Sequence, residues 1–179
     1  MASNAGIKFV FIVIAIIAVG VLYFIIRNTE PVDENTITSD VVVEREVIGG
    51  SVEGRPYSPA IKTTKARLDS SGERTVLSET IYVSGQVAID PDTGNEIHTS
   101  ITDETNQVIE NMKKWLNAGG FGLKDVVKCT VFLSDMSDYG EMNAAYLKYF
   151  PENQPARECV AVKGIALGFN VEISCIAEK

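Results

Sequence analysis

Two side chains near the C-terminus are of a type their surroundings do not call for. Arg157 sits in PARECVAV (residues 155–162), and Glu172 sits in VEISCIA (residues 171–177). Both stretches otherwise read as apolar strands. A charge at a core-facing strand position is costly unless it has a partner. A guanidinium is a planar, two-pronged donor that matches a carboxylate. A carboxylate can orient a water and take its proton. An Arg beside a Glu, on strands that could be neighbours, is therefore a candidate site for a small anionic substrate. The competing reading is a structural ion pair.

Other site chemistries find little support. Cys129, Cys159 and Cys175 all lie in apolar, strand-like contexts without C-x-x-C spacing. That favours buried free thiols over a disulfide framework or a zinc site. His98 is the only histidine and falls in a polar, loop-like stretch, so a histidine-based triad has no candidate. The formal net charge is −8, and Lys8 is the only charge before Arg27. The sequence from Arg27 onward thus carries 15 basic and 24 acidic residues, or −9. A surface that negative repels phosphate backbones, so nucleic acid is not an expected partner. A small anion remains possible, because one arginine can dominate a pocket.

The elements that must position these residues follow from the chain's patterning. Residues 9–26 (FVFIVIAIIAVGVLYFII) form an uncharged run of 18, bracketed by Lys8 and Arg27. That length lets a helix cross hydrocarbon, and the run continues past its weak small-residue cleavage site. Residues 1–27 are therefore expected to be an uncleaved membrane anchor, 28–40 an acidic flexible tether, and 41–179 the folded domain. Within that domain residues 41–47 read as a strand. Residues 60–68 and 75–77 read as a hairpin around Asp69-Ser70-Ser71-Gly72, and residues 80–84 as a further strand. Val108, Ile109, Met112, Trp115 and Leu116 recur at helical spacing before Gly119-Gly120. Residues 126–133 read as a buried strand, 138–150 as a second helix, and two strands close the chain. The order predicts an α+β domain with one sheet and two helices on one face. The uncovered face then calls for oligomerisation.

Several blocks in register resemble the Rid family, the reactive intermediate deaminases also called the YjgF family. They are Ile81-Tyr82-Val83-Ser84-Gly85-Gln86, Asp90-Pro91-Asp92-Thr93-Gly94, Asp125 onward to Leu133, Met142-Asn143-Ala144-Ala145-Tyr146, Pro155-Ala156-Arg157-Glu158-Cys159-Val160 and Val171-Glu172-Ile173. The resemblance implies a chorismate-mutase-like homotrimer with clefts between subunits that bind small carboxylates. It implies hydrolysis of 2-imino acids to 2-keto acids and ammonia, without a metal or organic cofactor. It assigns Arg157 to the substrate carboxylate and Glu172 to the attacking water. It places Tyr57 as a pocket aromatic, Ser84 and Gly85 along the cleft, and Asn143 on a helix near it. Cys159 contributes chiefly its backbone.

Three departures from the family pattern stand out. They are the anchor and tether, a longer segment over residues 62–79, and Arg55 in place of the usual glycine of a G-P-Y block. The expected protein is a single-pass, membrane-tethered imine deaminase whose domain faces the cytosol or mitochondrial matrix, where imino acids arise. The alternative is a non-catalytic trimeric structural or metabolite-sensing subunit, held among partners in a membrane assembly.

Overall fold

The computed structural model describes residues 40–50, 54 and 56–179. The chain divides into two units, Met1–Ile37 and Thr38–Lys179. The expected anchor, with nearly all of the tether, lies outside the described residues. Among the described residues no helix is long and apolar enough to cross a membrane.

Six strands form one sheet: β1 (Asp40–Ile48), β2 (Ala60–Leu68), β3 (Arg74–Gln86), β4 (Val126–Leu133), β5 (Ala156–Ala161) and β6 (Val171–Glu178). Their spatial order is β1-β2-β3-β6-β4-β5. All pairs are antiparallel except β4 with β5. That parallel step needs a crossover, and α2 (Tyr139–Tyr146) supplies it. The second of the two expected helices is thus shorter than residues 138–150. The two expected strands at residues 75–77 and 80–84 are one strand, with a register shift opposite Lys65 and Ala66.

Helix α1 (Ile101–Ala118) starts where Ser100 caps it. The Ser100 hydroxyl accepts from Asp103 N at 3.1 Å and donates to Asp103 Oδ2 at 2.9 Å. Val108, Ile109, Met112 and Leu116 are fully buried along one stripe of this helix. They pack on the alternating inward residues of the sheet: Ile81, Val83, Cys129, Val131, Leu133, Val171, Ile173, Cys175 and Ala177. Among the described residues every core residue lies between Ile48 and Ala177, so Thr38–Lys179 carries a core of its own. Cys129 and Cys175 are buried free thiols and Cys159 is half-buried, in line with the sequence reading.

One carboxylate within the core escaped that reading. Glu104 is fully buried on α1. It accepts from the backbone N–H and the side-chain amide of Asn170, both at 2.7 Å. Each carboxyl oxygen has a donor, so its burial is compensated. The bond ties α1 to the residue just before β6 and so fixes the start of the strand that carries Glu172.

Candidate active site

The ladder places Arg157 and Glu172 further apart than neighbouring strands would. On β4, Cys129 pairs with Arg157 of β5, while Phe132 pairs with Glu172 of β6. β4 therefore lies between the two, and they are three rungs apart. Strand spacing and rise put their backbones about 14 Å apart. Cys129 and Phe132 also point to opposite faces, since side chains alternate. Arg157 is on the helix-covered face and Glu172 is on the open one. The expectation of an adjacent Arg–Glu pair is corrected: within one chain they neither form an ion pair nor face the same space.

The candidate residues fall instead into two clusters. The first is built by α2 and the edge strand β5. Arg157 donates from Nη2 to Asn143 Oδ1 at 2.6 Å. Its guanidinium carbon lies 4.6 Å from the ring centre of Tyr146 and 6.0 Å from that of Tyr139. One turn of helix thus supplies both an acceptor (Asn143) and an aromatic platform (Tyr146), as i, i+3 neighbours do. Asn143, Tyr146, Leu147, Gln154, Pro155 and Arg157 line an open cavity of about 360 Å³. Cys159 is two residues along β5, on the Arg157 face. Burial pushes its thiol up, which leaves it a poor nucleophile.

The second cluster surrounds Glu172. β3 breaks its pairing with β6 between Val83 and Gln86, so Ser84 and Gly85 fall in a bulge. A side chain at Gly85 would collide with the Glu172 carboxyl, so the glycine lets strand and carboxylate meet. Ser84 donates from Oγ to Ser58 O at 2.7 Å and from its N–H to Pro59 O at 3.0 Å. These bonds hold the loop that carries Tyr57, which is exposed. Gln86 is fixed by Trp115, whose Nε1 donates to its Oε1 at 3.1 Å. Among the described residues Glu172 forms no ion pair, and burial pushes its carboxyl above the ordinary range.

Sequence reasoning quoted Tyr146 within the Met142–Tyr146 block, gave it no role, and did not single out Tyr139. The signal was present in the three-residue spacing from Asn143 to Tyr146, given that Arg157 faces the helix. His98 lies in neither cluster. It stacks on Phe169, with ring centres 4.3 Å apart, and its Nε2 is 3.1 Å from Glu96 Oε2. Among the described residues no group of three His, Cys, Asp or Glu side chains is placed to hold a metal.

Comparison with known proteins finds relatives of this domain. The family profile described as Endoribonuclease L-PSP matches residues 55–179. A RutC family protein of Pyrococcus horikoshii is 40% identical over 124 residues, covering 69% of this chain and 87% of the relative. The 2-iminobutanoate/2-iminopropanoate deaminase of Mus musculus is 38% identical over 119 residues, covering 65% of this chain and 88% of the relative. The crystal structure of a Rid-family protein from Yersinia pestis superposes with a TM-score of 0.61 at 32% identity, covering 75% of this chain and 98% of that one.

Proposed function

The chain belongs to the L-PSP family, the Rid/YjgF proteins, and from that premise we propose that it hydrolyses small 2-imino acids to 2-keto acids and ammonia. The observation that carries this reading is the division of the candidate residues into two incomplete clusters. One holds a fixed cation; the other holds a carboxylate without a charge partner. Neither can process a carboxylate ligand alone. Symmetric copies of the chain, with the β5 edge of one against the open face of the next, would bring Arg157 of one subunit to Glu172 of the next, and the family resemblance makes that assembly a homotrimer. Tyr82 and Val160 are exposed large apolar residues on that face, which suits such packing.

In the proposed reaction Asn143 and the two tyrosines hold the guanidinium still. Its remaining N–H groups clamp the ligand carboxylate in two-pronged fashion. The imine carbon beside that carboxylate is already electrophilic. Glu172 orients a water and takes one of its protons as the C–O bond forms. The imine nitrogen is protonated to an amine. Collapse of the resulting carbinolamine breaks the C–N bond, releases ammonia and leaves the ketone. Water supplies the oxygen, and the sum is imino acid plus water giving keto acid plus ammonia. Ser84, Gly85 and Tyr57 would shape the wall opposite the arginine, and the Cys159 backbone would complete the floor.

The tether belongs to the same proposal. The run at residues 9–26 would anchor the domain at a membrane, facing the compartment where imino acids form. A second reading, an accessory subunit with a ligand-sensing cleft, draws on the long β1–β2–β3 region, which suits a fixed place in an assembly. Generating 2-iminobutanoate in situ with a threonine dehydratase, and following the keto acid, tests the enzyme reading. The native domain should outpace Arg157→Ala clearly. Equal rates would end the deaminase proposal and favour the accessory one.

A further inference from the structure

β3 pairs with β6 only over its C-terminal part, from Thr80, beyond which Glu79 and Lys179 exchange backbone hydrogen bonds. The ladders of β1, β2 and β3 run on past that point. Residues 40–46, 62–68 and 74–78 therefore form a three-stranded arm alongside no other strand. Its two faces differ sharply in charge.

On the helix side stand Asp40, Glu44, Glu46, Lys62, Arg74 and Glu79, following the register that buries Ala60 and Ala66. Most of these charges are internally paired. Arg74 meets Glu44 at 2.8 Å and Lys62 meets Glu79 at 2.7 Å. On the opposite side the register sets Val41 against Arg67, Val43 against Lys65 and Arg45 against Thr63. Thr75 and Ser78 complete this side. It carries three basic residues and no carboxylate, in a chain of net charge −8. Among the described residues Arg45, Lys65 and Arg67 make no ion pair. The tip carboxylate Asp69 is occupied by bonds from Ser71 and Glu73.

We propose that this face of the arm docks on an anionic phospholipid surface. Charge complementarity selects an anionic partner. Val43 is 69% exposed and Val41 is 49% exposed between the basic side chains, which suits the boundary between headgroups and acyl chains. Single-stranded RNA fits less well, because the arm has no aromatic residue on which a base could stack. The sequence places the uncharged run 9–26 only thirteen residues before β1. A fully extended segment of that length reaches at most about 45 Å, so a run held in lipid keeps the arm within reach of the headgroups. The patch shares the open side of the sheet with Glu172, but it stands on the ladder beyond Thr80, away from the Ser84–Gly85 bulge, from Arg157, and from Tyr82 and Val160.

Co-sedimentation of Thr38–Lys179, which holds its own core, with lipid vesicles tests the assignment without the apolar run. Phosphatidylcholine vesicles with and without about a third phosphatidylserine are compared, at low and high salt. Binding should require the anionic lipid and fade with salt. The triple variant Arg45→Gln, Lys65→Gln, Arg67→Gln should bind about 100-fold more weakly. Glu46→Gln, on the other face, should bind at least as well as the native domain. Equal binding by the triple variant, or equal binding to neutral vesicles, overturns the proposal. So does a triple variant that changes oligomeric state while keeping its lipid affinity, which would make the face a subunit contact. Oligouridylate binding that is lost in the triple variant, without lipid binding by the native domain, would overturn it in favour of RNA.

Discussion

The clusters around Arg157 and Glu172 use the same sheet in opposite ways. Arg157 stands on an edge strand against a helix and is surrounded by groups that suit a cation: an amide oxygen, a thioether and two aromatic faces. Glu172 stands on an inner strand facing the open side, beside a glycine, with burial opposing its charge. The cation is stabilised before any ligand arrives, whereas the carboxylate is poised to take up a proton. The proposed binder and the proposed base need these different environments, and the alternation of a single sheet provides them.

The largest expected effect comes from the cation. Arg157→Ala should lower kcat/KM for 2-iminobutanoate by about 100-fold or more, the scale of a lost charge-assisted contact of ~3 kcal/mol. Arg157→Lys should recover little, because an ammonium cannot clamp in two-pronged fashion. If lysine restores most of the activity, the clamp is wrong and only charge matters.

Glu172→Gln should lower kcat by about 100-fold with KM little changed, as expected for a base that acts on water and not on the ligand carboxylate. The same variant carries a pH signature. Burial raises the folded-state pKa of this carboxyl above its unfolded value. The folded chain therefore binds this proton more readily, and the group opposes folding increasingly as pH rises through that window. Thermal melts should show Glu172→Gln more stable than the native domain at pH 8. The gap should close as pH falls below the ordinary carboxylate range. A Glu172→Gln domain less stable than the native one at pH 8, with the difference lost on acidification, would mean that Glu172 is a stabilising, paired carboxylate after all.

Smaller effects probe the support around each group. The Tyr146 hydroxyl is buried and has no hydrogen-bond partner among the described residues. Tyr146→Phe should therefore keep activity and raise stability by up to about 1 kcal/mol. Tyr146→Leu should raise KM about ten-fold by removing a platform worth about 1–2 kcal/mol to the guanidinium. Ser84→Ala removes the bond to Ser58 O and should cost about 1 kcal/mol, read as an earlier melt. An unchanged melt would show that the Pro59 backbone bond alone holds the Tyr57 loop.

Most of the architecture was legible in the sequence because its signals are local. The apolar run in residues 126–133, the stripe from Val108 to Leu116 and the Gly119-Gly120 stop each mark an element within a few residues. The relation between Arg157 and Glu172 was not legible. Whether β5 and β6 are neighbours depends on β4 entering between them, which is a long-range pairing with no local mark. The two charges differ in strand and in face through a register that only the assembled sheet sets. The Glu104–Asn170 latch escaped for the same reason: its partners are far apart in sequence, and Glu104 alone reads as a solvated helix residue.

The central claim, that Arg157 and Glu172 serve one ligand only across a subunit boundary, has a direct test. Arg157→Ala and Glu172→Gln chains, each nearly inactive alone, are unfolded together and refolded as mixed trimers. If each site takes its arginine from one subunit and its carboxylate from the next, about a quarter of the sites in a random mixture regain both groups. Activity should then return to about a quarter of the native level. A mixture no more active than its parents would contradict the account, since it would place both groups of each site in the same chain.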